Sequence, residues 1–184
     1  MIKVRVLSGE VDIDPLLPSS IRIGDIVHSL ANQNRYNGNT VIPWPVAAHA
    51  VRVYRHAKFI NEDPAFLVSA LHHDSAETYI GDIIQPIKQH LDMRLGHTSA
   101  DVLSLETFEN RLLRTIITRY SGMWPIPQEV KDLDMFQREM ERDNLFPRAP
   151  GSSRTVEFMM GARDCRQEFL AAHSELQRRL GCTI

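Results

Sequence analysis

The segment LHHDSAETYIGD, residues 71–82, places two histidines, two aspartates and one glutamate within twelve positions. Charged and imidazole side chains are costly to bury among apolar residues unless they are paired or bind a metal. His73 and Asp74 are adjacent, and Glu77 lies one helical turn beyond them. Because positions three and four apart share one face of a helix, a single buried helix would present these groups to one cavity. A divalent cation there would offset the cost of burying them.

Three polar residues outside this pair could complete such a site. His49 lies in VAAHAVRV among small apolar neighbours, Asp134 lies in EVKDLDMF on a predicted helix, and Asp82 follows at the end of the His-Asp helix. An isolated histidine of this kind is usually a core residue, and an isolated aspartate usually faces solvent. Taken together, the four residues offer two nitrogen and two oxygen ligands, in the order His49, His73 with Asp74, and Asp134 along the chain. This mixed set suits a catalytic divalent metal with open positions.

Apolar residues recur at helical spacing through most of the chain, which predicts an all-α fold. Six or seven helices with short connections indicate one compact domain. The predicted division is an N-terminal arm over 1–20, a core over 21–144 and a C-terminal loop and helix over 145–184. IKVRVL alternates like a strand but has no evident partner, so it is assigned to the arm. The predicted helices lie within 19–33, 46–60, 63–80, 83–95, 100–122, 127–146 and 162–181, and the loops within 34–45 and 149–159.

Composition narrows the class of protein. The 184 residues are 43% hydrophobic and 24% charged with a net charge of -2, as in ordinary globular proteins. The sequence has no polybasic segment, so its charge does not suggest binding to nucleic acid or membranes. Cys165 and Cys182 are too few for a disulfide framework and are expected to be free thiols. With no apolar signal core at the N-terminus and no apolar run near the roughly 18 residues of a membrane span, we expect a cytoplasmic protein.

Both tryptophans and several other histidines are expected to lie outside the site. His72 points about 100° away from His73 around a helix and should pack rather than bind. Trp44 and Trp124 flank prolines and are expected to anchor the core. The histidines expected on helix surfaces are His56, His90, His97 and His173.

Four motifs together resemble the HD-domain metal-dependent phosphohydrolases, which are named for a His-Asp pair. These motifs are IVHSLANQNRYNG, VAAHAVRV, ALHHDSAETYIGDIIQPIK and VKDLDMFQREMERD, within about residues 21–144. The third is the most specific, because it joins the pair to a glutamate, a Gly-Asp and a Pro-x-Lys. The chain is most similar to the small 5'-deoxynucleotidase-like branch, which includes phage dATP triphosphohydrolase-like members. The resemblance implies a single HD-domain helical bundle.

The resemblance also implies roles for individual residues. Glu77 matches the residue that activates or positions water, and Asp82 matches a second acid near the leaving group. Arg35 matches an arginine that meets the phosphate, Tyr36 an aromatic residue that packs on the sugar, and Lys88 a further phosphate contact. The implied ligands of a divalent metal ion, whether Co, Mn, Zn, Fe or Mg, are His49, His73, Asp74 and Asp134.

Departures from the family pattern affect substrate preference rather than the ligands. The first ligand is preceded by two alanines instead of an acidic residue, and His72 stands where many members have leucine. Asn39 replaces a histidine after the arginine motif, and Tyr36 replaces tryptophan. The base and sugar preferences therefore stay open.

The resemblance implies an enzyme that cleaves a deoxynucleotide at the α-phosphate and releases the deoxynucleoside. The two expected activities are dATP triphosphohydrolase and purine deoxynucleoside 5'-monophosphatase. Two alternatives remain: an HD phosphodiesterase for a nucleotide signal, and a catalytically inactive nucleotide-binding module. The expected partner is a small-molecule deoxynucleotide, with neither nucleic acid nor membrane, and the relatives suggest a homo-oligomer.

Overall fold

Helices dominate the structure, a computed structural model that describes residues 2–95, 104–146 and 154–182. The prediction of an all-α bundle is confirmed. A small two-stranded sheet accompanies the helices in the described residues. None of these helices combines the length and the apolar character that crossing a membrane would require. The helices are α1 Ile23–Asn32, α2 Val46–Ala57, α3 Pro64–His72, α4 Glu77–Ile80, α5 Gln85–Leu95, α6 Leu105–Arg119, α7 Gln128–Leu145 and α8 Arg154–Arg179.

Helix α2 lies at the centre of the bundle, in contact with α1, α3, α7 and α8. Its sequence VAAHAVRVYRHA is rich in alanine, so neighbouring helices can approach closely. Nine of its twelve residues are buried, and His49 is among those with no exposed surface. Trp44, just before α2, is fully buried, so its expected role as a core anchor is confirmed. Any polar group on α2 must therefore find its partners inside the protein.

The N-terminal segment forms a hairpin that packs against the bundle, rather than an unpaired arm. Strand β1 Lys3–Val6 pairs antiparallel with β2 Gly9–Asp12, so the expectation that the first strand has no partner is wrong. The second strand, GEVD, was missed because Val11 is its one aliphatic residue, which leaves no alternation to recognise. The backbone nitrogen and hydroxyl of Ser8 donate to the two carboxylate oxygens of Asp25, at 2.8 and 2.6 Å. This contact ties the hairpin turn to α1.

The expected single helix over 63–80 is divided by a tight turn at residues 73–76. Backbone bonds here run to the third residue before the donor, from Ser75 N to His72 O at 2.9 Å and from Glu77 N to Asp74 O at 3.0 Å. The Ser75 hydroxyl lies 2.9 Å from His72 Nδ1, a local contact that competes with regular helix. Because residues three apart eclipse one another in such winding, Asp74 and Glu77 still lie on one side.

Three other boundaries differ from the sequence expectation. Helix α1 begins at Ile23 rather than at residue 19, and Arg22 precedes it without a side-chain cap bond. Helix α6 begins at Leu105 with Ser104 as its cap, and its expected start at 100–103 lies outside the described residues. Helix α8 begins at Arg154, so part of the expected loop is helical, whereas 149–153 lie outside the description.

The expected surface position of His173 is also wrong. Its side chain is buried, and its Nδ1 lies 3.0 Å from His72 Nε2. The His72 ring stacks on Tyr120 at a centroid distance of 4.9 Å, which confirms its packing role. Burial lowers the pKa of His173 to about 4, so both rings are neutral at physiological pH. His97 lies outside the described residues.

Candidate metal centre and adjoining cleft

Three side chains from separate parts of the bundle meet at one point. Helix α2 contributes His49, and the turn after α3 contributes His73 and Asp74. The Nε2 atoms of the two histidines are 3.2 Å apart, and Asp74 Oδ2 lies 3.6 Å from His49 Nε2 and 3.4 Å from His73 Nε2. One ligand atom from each residue lies within 4.8 Å of the others. This group could hold a metal ion.

Asp134, the fourth expected ligand, comes from α7. Its Oδ1 lies 3.0 Å from His49 Nε2 and 3.8 Å from His73 Nε2. The structure therefore brings all four expected ligand residues together, with Asp134 against the two histidine nitrogens. Arg138 holds this carboxylate from one turn further along α7, with Nε 2.8 Å from Oδ1 and Nη2 2.6 Å from Oδ2.

The histidine rings are oriented as metal ligands require. His73 Nδ1 lies 2.8 Å from the carbonyl oxygen of Ala70, and His49 Nδ1 lies 2.7 Å from Glu141 Oε1. A ring that donates from Nδ1 keeps a lone pair on Nε2. Two such nitrogens 3.2 Å apart require either a proton or a metal cation between them. The mixed nitrogen and oxygen donors thus fit a divalent metal.

The carboxylates of this cluster are ionised. Burial by itself raises the pKa of Asp74, but His73, His49 and Arg35 hold it well below its usual range. Burial likewise raises the pKa of Asp134, but hydrogen bonds with His49 and His73 lower it below its usual range. Burial lowers the pKa of His73, but Asp74 and Asp134 raise it to about 10. The group thus attracts a positive charge into the bundle.

A cleft of about 200 Å³ adjoins the cluster. The five residues expected to act in catalysis or substrate binding all line it: Arg35, Tyr36, Glu77, Asp82 and Lys88. Two further cationic side chains, those of Arg138 and Arg142 on α7, also line it. These four cationic side chains could contact an anionic ligand, which would compete with the carboxylates that Arg35, Lys88 and Arg138 already contact.

Arg35 links the cluster to the cleft. Its Nη1 lies 3.1 Å from Asp74 Oδ2, and its Nε lies 3.1 Å from Glu141 Oε2. The guanidinium is buried, and these carboxylates raise its pKa against the opposing effect of burial. The neighbouring Tyr36 has a left-handed backbone at φ 58°, and its hydroxyl donates to Glu141 Oε2 at 2.9 Å.

Glu77 is a buried carboxylate at the cleft wall. Its Oε2 has no hydrogen-bond partner among the described residues. Burial, together with the carboxylates of Asp74 and Asp82, raises its pKa well above the usual range. Burial also raises the pKa of Asp82, whose backbone nitrogen donates to Gln33 Oε1 at 3.0 Å. A carboxylate of raised pKa in a cleft has the properties of a general base or acid.

Lys88 has a partner that the sequence did not predict. Its Nζ lies 2.8 Å from both carboxylate oxygens of Glu109 on α6. This bond joins α5 to α6 at the edge of the cleft. A phosphate group that binds Lys88 must share it with Glu109.

Three residues that adjoin the site were not expected from the sequence: Arg138, Glu141 and Arg142. They follow Asp134 on α7 at four, seven and eight positions, so they share its helical face. That spacing in DMFQREMERD was the available signal. It was overlooked because a dense run of charges is usually a solvated helix surface.

The fold and the cluster define an all-α protein with a group of His and Asp side chains that could hold a metal ion. No protein-family model matches the chain. The chain is 36% identical over 153 residues to an uncharacterized protein of Rhodobacter capsulatus, and the match covers 77% of this chain and 71% of the relative. The chain belongs to the same family as that protein.

Proposed function

We propose that this protein is an HD-domain metal-dependent phosphohydrolase that cleaves a deoxynucleotide at the α-phosphate and releases the deoxynucleoside. One observation carries the proposal: the His49, His73 and Asp74 ligand atoms converge beside a cleft lined by Arg35 and Glu77. A cation site and an adjoining cationic cleft are the two elements that such a reaction requires.

The ligands of the proposed metal are the Nε2 atoms of His49 and His73 and the carboxylates of Asp74 and Asp134. A divalent cation held there would lower the pKa of water towards about 7 and would polarise a phosphoryl oxygen. Co, Mn, Zn, Fe and Mg are all compatible with this mixed donor set.

The residues of the cleft have complementary tasks in the proposed reaction. Glu77 accepts a proton from the attacking water, for which its raised pKa suits it. Arg35 and Lys88 neutralise charge on the phosphoryl oxygens. The bond from phosphorus to the 5'-oxygen breaks, and Asp82, whose pKa is also raised, supplies the proton to the departing oxygen.

The proposed substrate is dATP or a purine deoxynucleoside monophosphate. A groove of about 590 Å³ between α5 and α6 shares Gln85 and Lys88 with the cleft. Cleft and groove together provide the volume of a site for a small ligand, roughly 300–1,000 Å³. The proposed setting is the cytoplasm, with the protein as a homo-oligomer.

Turnover of defined nucleotides tests the proposal. Protein of measured metal content is incubated with Co²⁺ or Mn²⁺ and with deoxynucleoside mono- and triphosphates and their ribonucleotide counterparts. The expected products are a deoxynucleoside with phosphate or triphosphate, and Glu77→Gln is expected to abolish their formation. The matched control is Glu139→Gln, which removes the same charge from an exposed position on α7.

The negative result is equally informative. Bound metal without turnover of any of these nucleotides would overturn the nucleotidase proposal. Hydrolysis of a cyclic dinucleotide under the same conditions would then identify a phosphodiesterase. Nucleotide binding without any hydrolysis would identify an inactive module.

A further inference from the structure

We infer that Glu141 is a positioning residue of the metal centre, whose carboxylate fixes the His49 ring with Nε2 towards the metal and holds Arg35 and Tyr36 at the cleft wall. The inference rests on the proposed function, because it assigns a task to a residue that the proposed reaction does not touch. Glu141 has no exposed surface, so its partners are all inside the protein.

Four side chains from three parts of the chain converge on this carboxylate. Oε1 lies 2.7 Å from His49 Nδ1 and 3.2 Å from Gln137 Nε2. Oε2 lies 3.1 Å from Arg35 Nε and accepts from the Tyr36 hydroxyl at 2.9 Å. Arg35 Nε, the Tyr36 hydroxyl and Gln137 Nε2 all donate to this carboxylate, so it acts as an acceptor towards its partners.

An acceptor at Nδ1 determines which His49 nitrogen binds. Because Glu141 acts as an acceptor, His49 Nδ1 must carry the proton, and the lone pair must be on Nε2, which faces His73 and Asp74. A carboxylate on the remote nitrogen also increases the basicity of a ligating imidazole. Removing such a partner typically lowers metal affinity about 10- to 100-fold.

Glu141 also controls competition for Asp74. Arg35 divides its contacts between Glu141 and Asp74, one of the proposed ligands. Without the charge on Glu141, Asp74 is the remaining anionic contact of Arg35 among the described residues. Arg35 would then compete more strongly with the metal for Asp74. Both effects lower metal affinity when Glu141 loses its charge.

Calorimetric titration of metal-stripped protein with Mn²⁺ or Co²⁺ alone tests the inference. Glu141→Gln is expected to weaken binding about 10- to 100-fold, whereas Glu139→Gln on the exposed side of α7 leaves it unchanged. Circular dichroism confirms that each variant is folded. Wild-type protein that binds no metal would overturn the proposed function together with this inference. Normal wild-type binding that Glu141→Gln leaves unaltered would overturn the inference alone.

A second measurement needs no variant and decides the question even if Glu141→Gln fails to fold. Long-range ¹H–¹⁵N spectra of the Zn²⁺-loaded wild type report which ring nitrogen of each histidine is protonated. His49 is expected to carry its proton on Nδ1 and to bind through Nε2. A His49 ring that binds through Nδ1 would contradict the assigned role of Glu141.

Discussion

Replacing Glu77 with glutamine measures the cost of burying its charge in the metal-free protein. The side chain is 4% exposed, and its Oε2 has no partner among the described residues. Glutamine keeps the shape but removes the charge. Both side chains keep a polar group at this position, so the difference between them is the added cost of the charge, which is of the order of the roughly 1–3 kcal/mol penalty of an unsatisfied buried group. We therefore expect Glu77→Gln to raise the free energy of unfolding by about 1–3 kcal/mol at pH 8, or roughly 2–12 °C in Tm for a chain of this size.

The pH dependence gives this prediction its sharpest form. The pKa of Glu77 is raised in the folded protein, so its contribution to stability is fully present below the unfolded pKa near 4.5 and is lost as the pH rises through the folded pKa. The stabilising effect of glutamine should therefore be large at pH 8 and small at pH 5. Thermal unfolding in EDTA at both values measures it, with Glu139→Gln as the control. A Glu77→Gln protein that is no more stable than that control at pH 8 would refute the reasoning.

Three further predictions address packing, titration and substrate binding. Gly122→Ala should lower stability by about 1–3 kcal/mol in thermal unfolding, because its Cβ would lie 2.9 Å from side-chain carbons of Ile117 and Val68; an unchanged Tm would contradict this. The pKa of His173 is about 4 in the folded protein, whereas an unfolded histidine titrates near 6.5, so the unfolded chain binds the proton first as the pH falls. This difference should lower the free energy of unfolding by about 2 kcal/mol at pH 5. His173→Gln should flatten the dependence of stability on pH between about 4 and 6.5, and an unaltered curve would exclude this cause. Lys88→Met should lower kcat/KM for the proposed substrate about 10- to 100-fold, because it loses a charge-assisted hydrogen bond of about 1.5–3 kcal/mol. Unchanged kinetics would show that Lys88 does not bind the substrate.

The centre of the site was predictable from its residues taken together and from the resemblance to the HD-domain family, since each residue by itself is ordinary. His73 and Asp74 follow an apolar run, and His49 interrupts a row of alanine and valine. Periodicity alone placed these segments on helices, and the structure brings His49, His73 and Asp74 within ligand distance. The helical class and most helix bounds followed from the same periodic signal.

What the sequence could not reveal are contacts between distant segments that look ordinary on their own. Glu141 lies 92 positions from His49 and 106 from Arg35, and the run of charges around it is typical of a solvated helix surface. His173 likewise occupies an unremarkable helical sequence, yet it faces His72 across 101 positions. In both cases the decisive partner is remote, so local pattern carries no information about it.

The attachment of α7 has a consequence for the motions of the protein. The buried residues of this helix are two aliphatic ones, Val130 and Leu145, and three polar ones, Gln137, Glu141 and Asn144. Apolar side chains on its outer surface, such as Phe136, are exposed. Much of what holds α7 in place is therefore the polar network of the site rather than apolar burial. Opening of α7 and disassembly of the ligand cluster should be one event, and hydrogen exchange of the α7 amides should slow when a cation binds.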